Sequence, residues 1–284
     1  MQDILISPKV MSDKKKRRSR SRLKSSDKLN AFKKPIDVFI KTRQELTMVK
    51  SEPSTDKGEQ TRRHIFECAL ALFRENGFEA TTMQQVANRA NVAKSAAYYY
   101  FPSKEAIVQA YFEVVQAEQE RLCADVFARR KDLKARLSIA MHSKFDLATE
   151  DRRLLGMVFR YTGEPEHPLS CLGKGTAAIR RRAMEVFHRA IATEHLPNDL
   201  EQLLPLALWA LQMGLLVMFL YDDSSDQQRT RKTADRALDL TLKLLAVAKL
   251  PVLKPIRAKV LALLMNSELL PEGLVAESKG MLNG

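Results

Sequence analysis

Thr82–Phe101, TMQQVANRANVAKSAAYYYF, followed at once by PSKEAI, is the stretch that decides how this chain folds. Met83, Val86, Ala87 and Ala90 fall at i, i+3, i+4 and i+7. They share one face of a short helix and leave Gln84, Gln85, Asn88 and Arg89 outward. Asn91 follows, and Asn accepts positive φ more readily than residues other than Gly, so a sharp reversal is expected there. A second short helix then carries Val92, Ala97 and Phe101 inward, and small Ala87 and Ala97 let the two helices cross closely. Its outer surface is Lys94, Ser95, Ala96, Tyr98, Tyr99 and Tyr100: one cation, hydroxyls and flat rings. Such groups bond phosphates, touch thymine methyls and reach base edges from the major groove. Ser103 stands where it caps the next helix, beginning Lys104-Glu105. On spacing alone, an ordinary helical hairpin whose tyrosines meet another protein stays open.

From Thr61 to about Gln119 the chain resembles the DNA-binding domain of the tetracycline-repressor (TetR) family, in TRRHIFECALALFRENGFEATTMQQVANRANVAKSAAYYYFPSKEAIVQAYFE. The resemblance puts Ile65, Ala69, Leu72 and Phe73 on the core face of the first helix and makes Gly77 its C-cap. It places Thr82 where the family caps its second helix and contacts a phosphate, Tyr98 at the recognition tyrosine, and Lys104 at a backbone-gripping lysine. The departures are Asn91 for Gly, Ala93 for a capping Ser, Ser95 for a common Gly, and Ala97 for a larger apolar residue. Loss of the Ser cap is expected to cost about 0.5–2 kcal/mol. Ala97 is expected to leave slack that one of the three tyrosines fills. The resemblance implies double-stranded DNA as partner, met by Thr82, Lys94, Ser95, Ala96, Tyr98, Tyr99, Tyr100 and Lys104. It also implies a homodimer whose recognition helices lie about 34–36 Å apart, one DNA turn, and a repressor on a palindromic operator that answers to a small-molecule effector.

Charge does not make this case. The chain of 284 residues has a formal net charge of +13, but residues 1–60 hold 16 Lys and Arg against 8 Asp and Glu. Residues 61–114 hold only 6 against 5. Within the basic stretch, KKKRRSRSRLK (14–24) cannot bury a core of its own. It reads equally as an arm adding non-specific phosphate contacts, or as a solvated tail or sequence upstream of a start at Met11 or Met48. Residues 36–50 have the pattern of a weak amphipathic helix.

The expected organisation is all-α: a basic extension over 1–58, a three-helix helix-turn-helix domain over 59–119, and a helical ligand-binding and dimerisation bundle over 120–284. Helices are expected at about 104–129, 132–148, 151–162, 176–194, 199–221, 227–249 and 255–266. The N-terminus lacks a secretion-signal pattern, and three cysteines, odd in number, fit a reducing cytoplasm. Residues 202–221, QLLPLALWALQMGLLVMFLY, carry no charge, but acid on both flanks together with Pro205, Gln212 and Gly214 favours a buried helix over a membrane span. In the following helix, Ala234, Leu238, Thr241, Leu245 and Ala248 form one stripe and Leu240, Leu244 and Val247 lie beside it. That width suits either an internal core or a partner surface, and the resemblance favours the partner.

Met157, Phe159, Tyr161, Trp209, Met213 and Met218 are the candidate lining of an effector pocket, although a Met and aromatic stripe also reads as plain core. LGKGTAAIR (172–180) superficially resembles a phosphate-binding loop but lacks the preceding strand and spacing, and Thr176 reads better as a helix N-cap. The five histidines have no metal-ligand spacing. No catalytic residue, metal or cofactor is called for.

Overall fold

Helical spacing interrupted by Gly, Pro and Asp/Ser clusters yields ten α-helices and no strand among the residues described by the computed structural model, 55–130, 132–164 and 166–265. The expectations for the Lys14–Lys24 cluster, the start sites and residues 36–50 lie outside them. The N-terminal part comprises α1 (Thr55–Asn76), α2 (Met83–Arg89) and α3 (Lys94–Tyr100). Next come α4 (Lys104–Arg129), α5 (Leu133–Ala148) and the short α6 (Arg152–Val158), which tightens into a 3-10 turn over Phe159–Gly163. The remainder is α7 (Ala177–Ile191), α8 (Asn198–Tyr221), α9 (Gln228–Ala248) and α10 (Lys254–Met265). α4 runs unbroken through residue 119, so the helix-turn-helix and the bundle share it.

Caps set the boundaries. Thr82 Oγ1 accepts from the Gln85 amide at 3.2 Å while Gln85 Oε1 accepts from the Thr82 amide at 2.8 Å, a reciprocal capping box that starts α2. Ser103 accepts from the Ala106 amide and starts α4, as its position predicts. Gly77 ends α1 at φ +91°, and a Cβ there would stand 3.3 Å from Met157 Sδ. Gly77 therefore serves both a left-handed turn and a close approach of α6.

The apolar α8 is the axis of the bundle: it packs on α5, α6, α7, α9 and α10. By length and composition it resembles a membrane span, with mean hydropathy 2.1. Here Leu200, Leu208, Leu215 and Phe219 are buried against neighbouring helices, and the Phe219 ring stacks on Phe145 at 5.1 Å. α9 splits its wide stripe in two. Ala234, Leu238 and Leu245 are buried, whereas Leu240, Leu244 and Val247 are 57%, 59% and 53% exposed.

One buried cation ties the bundle across its sequence. Arg136, at the start of α5, donates from Nε to the Ala190 carbonyl at 2.7 Å and from Nη2 to Glu194 at 2.8 Å, so it closes the C-terminal end of α7. Its charge is buried and its hydrogen bonds are specific, so removing it strands the buried Ala190 carbonyl and leaves the half-buried Glu194 carboxylate without its cation. Arg136→Ala is expected to lower unfolding free energy by about 3–5 kcal/mol, read as a large fall in the midpoint of thermal or urea denaturation.

Candidate nucleic-acid interface and ligand cavity

The turn that aims α3 depends on Asn91, at φ +51°. Its amide donates to the Asn88 carbonyl and the Val92 amide to the Ala87 carbonyl, closing the end of α2. Ala87 and Ala97 are fully buried where the two helices meet, as small side chains there require. Ala93 is extended and gives no side-chain cap, so the departure from a capping Ser is a real loss to α3.

Lys94, Ser95, Tyr98 and Tyr99 face outward on α3, with Tyr98 43% and Tyr99 82% exposed. Lys94 Nζ lies 6.0 Å from the Tyr98 ring centroid. Ala96 and Tyr100 are half-buried. Tyr100 is the ring that turns inward: it packs against the core edge-on to Tyr99, and its hydroxyl approaches Gly58 of α1. Thr82 is exposed at the start of α2, its hydroxyl also donating to Gln85 Oε1 at 3.0 Å. Lys104 is half-buried; its Nζ donates to the carbonyls of Phe78 (2.9 Å) and Glu79 (3.3 Å) and sits 4.6 Å above the Phe78 ring. Lys104 thereby holds the turn after α1 to the start of α4, with a further ammonium proton for an outside acceptor. The structure thus gathers Lys94, Ser95, Tyr98 and Tyr99 on one open face and gives Tyr100 and Lys104 structural tasks as well.

A partly buried cluster links this unit to the bundle. Arg74, near the end of α1, meets Asp151 bidentately, Nε to Oδ1 at 2.6 Å and Nη2 to Oδ2 at 3.0 Å. Tyr111 of α4 donates its hydroxyl to Asp151 Oδ2 at 2.9 Å. Burial and then the Asp151 charge push the Tyr111 phenol well above its usual range, so it remains a donor at neutral pH. Pattern reading of the sequence misses this cluster, because its members lie 77 and 40 residues apart. Asp151→Ala leaves a buried phenol without its acceptor. The expected cost is about 1–3 kcal/mol, with faster amide hydrogen exchange around Gly77, where α1 meets α6.

Tyr111 also lines a cavity of about 110 Å³ enclosed by α4 to α8 and the loop before α7. Phe159, Trp209 and Met213 line it as expected. Met157, Tyr161 and Met218 do not. Met157 is drawn to Gly77, Tyr161 stacks on His167 at 3.9 Å, and Met218 is 46% exposed on the outside of α8. The polar residues of the wall, absent from the sequence-based set, are Gln116, Lys144, Thr162, Thr176, Arg180 and Gln212. Desolvation lowers the Lys144 ammonium to about 8, and burial lowers the Arg180 guanidinium as well. Thr176 stands at the N-cap position of α7, as expected, but its hydroxyl makes no capping hydrogen bond and turns back to the Ser170 carbonyl at 2.5 Å.

Burial pushes the thiols of Cys68, Cys123 and Cys171 up, that of Cys123 to about 11, opposite to what a redox-sensing thiolate needs. Cys68 is half-buried, its Sγ 3.9 Å from His64 Nε2. Among the described residues no three His, Cys, Asp or Glu side chains gather as a metal site.

Known proteins share both halves of this arrangement. Residues 65–111 match the family described as bacterial regulatory proteins, tetR family, and residues 136–260 match the tetracyclin repressor-like C-terminal domain, together more than half of the chain. The A-factor receptor protein of Streptomyces griseus is 40% identical over 65 residues, 22% of this chain and 24% of the relative. The transcriptional regulator AcrR of Shigella flexneri is 28% identical over 103 residues, 36% of this chain and 48% of the relative. The chain therefore matches less than half the length of these curated relatives. A tetR-family regulator from Streptomyces coelicolor shares the fold, with TM-score 0.53 and 18% identity over 72% of this chain and 89% of that one. With a helix-turn-helix at one end and a matching helical bundle at the other, the chain belongs to the TetR family of bacterial, DNA-binding transcriptional regulators.

Proposed function

We propose that the chain is a ligand-responsive repressor that binds a near-palindromic operator as a homodimer, in the cytoplasm where bacterial DNA lies. The observation that carries this reading is the outer face of α3. Lys94, Ser95, Tyr98 and Tyr99 stand in solvent there, while the inner face of the same seven-residue helix is locked by Ala97. Rings and a cation left in water on a rigid, groove-sized helix make sense where a nucleic acid covers them.

Dimerisation is supported by a second uncovered surface. Val217, Met218 and Tyr221 of α8 and Leu240, Leu244 and Val247 of α9 are all exposed, and α8 and α9 pack on each other. Apolar exposure on this scale marks an association surface, and a second copy of the chain supplies a two-fold partner. The cavity takes the effector role because Tyr111 belongs both to its wall and to the Arg74–Asp151 cluster. An effector that fits better when Tyr111 shifts biases the seat of α1, and through α1 the separation of the recognition helices; equal fit to both states shifts nothing. Residues 59–119 and 120–284 then act as the reading and sensing parts, joined by α4.

Sedimentation of the full chain on a duplex recovered from genomic binding tests this reading. Two chains per duplex and a footprint with two-fold symmetry are expected. One chain per duplex, or a footprint without symmetry, contradicts it.

A further inference from the structure

We propose that the cavity takes an amphiphilic organic anion, a small apolar body against Phe159, Trp209 and Met213 with a carboxylate set on the Lys144 ammonium. This rests on reading the cavity as the effector site. Most of its wall is apolar, and its volume of about 110 Å³ is comparable to an engineered cavity of about 150 Å³ that accepts benzene. The body it admits is thus about one aromatic ring or a short alkyl chain.

The charge requirement comes from Lys144. Its hydrogen bond goes to a neutral acceptor, Gln116 Oε1, at 3.0 Å, and among the described residues no carboxylate lies within ion-pair distance of it. Glu120, one turn beyond Gln116, is held bidentately by Arg182 at 2.9 and 2.8 Å. Arg180, the other cation of the wall, donates only to the carbonyls of Cys171 and Gly173. Lys144 is half-buried, and the carboxylate that favours its charge, Glu120, is already engaged by Arg182. A partly desolvated cation that shares its counter-charge is costly to keep, and an anionic guest offsets that cost where a neutral guest does not. Gln212 adds a polar contact of the opposite kind. Its Nε2 donates to the Ala140 carbonyl, which fixes the amide, and its Oε1 is buried without a partner. A donor on the guest, or a water brought with it, satisfies that oxygen.

The groups that govern Lys144 are Glu120 and Gln116 from α4, the Cys123 thiol beside them, and Arg182 from α7; Glu120 favours the charged form and Arg182 opposes it. Since desolvation lowers the ammonium to about 8 and a bound carboxylate holds the proton, affinity for the anion falls as pH rises through that value.

Trp209, the single tryptophan, lines the cavity and reports its occupancy. Titrating the full chain with phenylacetate and hexanoate, and with their neutral amides phenylacetamide and hexanamide, tests the assignment. Saturable fluorescence changes are expected with the acids, at least about tenfold tighter than with the amides, and about tenfold weaker at pH 9 than at pH 7. Lys144→Met is expected to erase the preference for acids and the pH dependence, and Lys144→Arg to keep the first and lose the second. Equal affinity for acid and amide, or no saturable change with any of the four, would overturn the proposal. The acid–amide comparison on the unaltered chain decides even where a variant fails to fold. Binding of genomic DNA fragments by the same preparations separates the two readings: intact DNA binding without acid selectivity removes the anion assignment alone, and selective acid binding without DNA binding removes the regulator reading alone.

Discussion

Replacing Lys94 and Tyr98 together by alanine is expected to abolish operator recognition while leaving the chain folded and associated. Both side chains stand on the open face of α3 and neither belongs to the buried core. Stability should change by no more than about 0.5 kcal/mol, as for other surface substitutions. Binding is different. A contact of this kind is worth about 1–3 kcal/mol per half-site, and a dimer loses it twice, so affinity falls roughly 30-fold or more. Lys94 alone should lower the salt dependence by about 0.9 log unit per half-site, the signature of one lost phosphate contact. Lys104→Ala makes the contrast: its ammonium bonds the Phe78 and Glu79 carbonyls, so its loss should lower stability as well as affinity. Equilibrium DNA binding at several salt concentrations, with thermal melts of the same variants, separates the two effects.

Leu244→Glu with Val247→Glu is expected to yield a folded monomer with specific DNA binding weakened at least a thousandfold, to the range of non-specific association. Both residues are more than half exposed on the outer stripe of α9, so charge there costs the monomer little. In a dimer the same charges are buried against their copies and stay unpaired. Leu245→Glu, one residue away, buries the charge in the bundle instead and should unfold the chain. Sedimentation equilibrium and a thermal melt distinguish a monomer from an unfolded protein. A double variant that remains dimeric refutes this interface.

Much of the helix-turn-helix is legible from local chemistry, because each of its decisions is made within a few residues. Thr82 and Ser103 cap the helices that follow them, Asn91 takes the left-handed turn, and the i, i+3, i+4, i+7 pattern sets the buried face of α2. The inward turn of Tyr100 is not local: three consecutive tyrosines point in three directions, and only the space beside Gly58 on α1 selects one. For the same reason only three of the six residues read as pocket lining, Phe159, Trp209 and Met213, border the cavity. Met and aromatic content marks apolar wall without saying which wall adjoins space, and Met157 is claimed by Gly77, a contact between α6 and the end of α1 that no helical repeat encodes. Lys144 and Arg180 are invisible because a lone lysine, or the first of three consecutive arginines, on a helix reads as solvated surface. Their place on a cavity wall appears only when α4, α7 and α8 close around them. The Arg74–Asp151–Tyr111 cluster is likewise a product of packing, assembled from three helical segments by the angle at which α6 meets α1.

The central claim, sequence-specific recognition by the outer face of α3 in a two-fold dimer, is tested most directly by selecting genomic fragments bound by the full chain at two salt concentrations. The expected result is one enriched motif of two inverted half-sites spaced about one DNA turn, 10–10.5 base pairs centre to centre, retained at the higher salt and lost with Lys94 and Tyr98 replaced. Binding without an enriched motif, collapsing as salt rises, would contradict it and leave only the non-specific attraction of the basic extension.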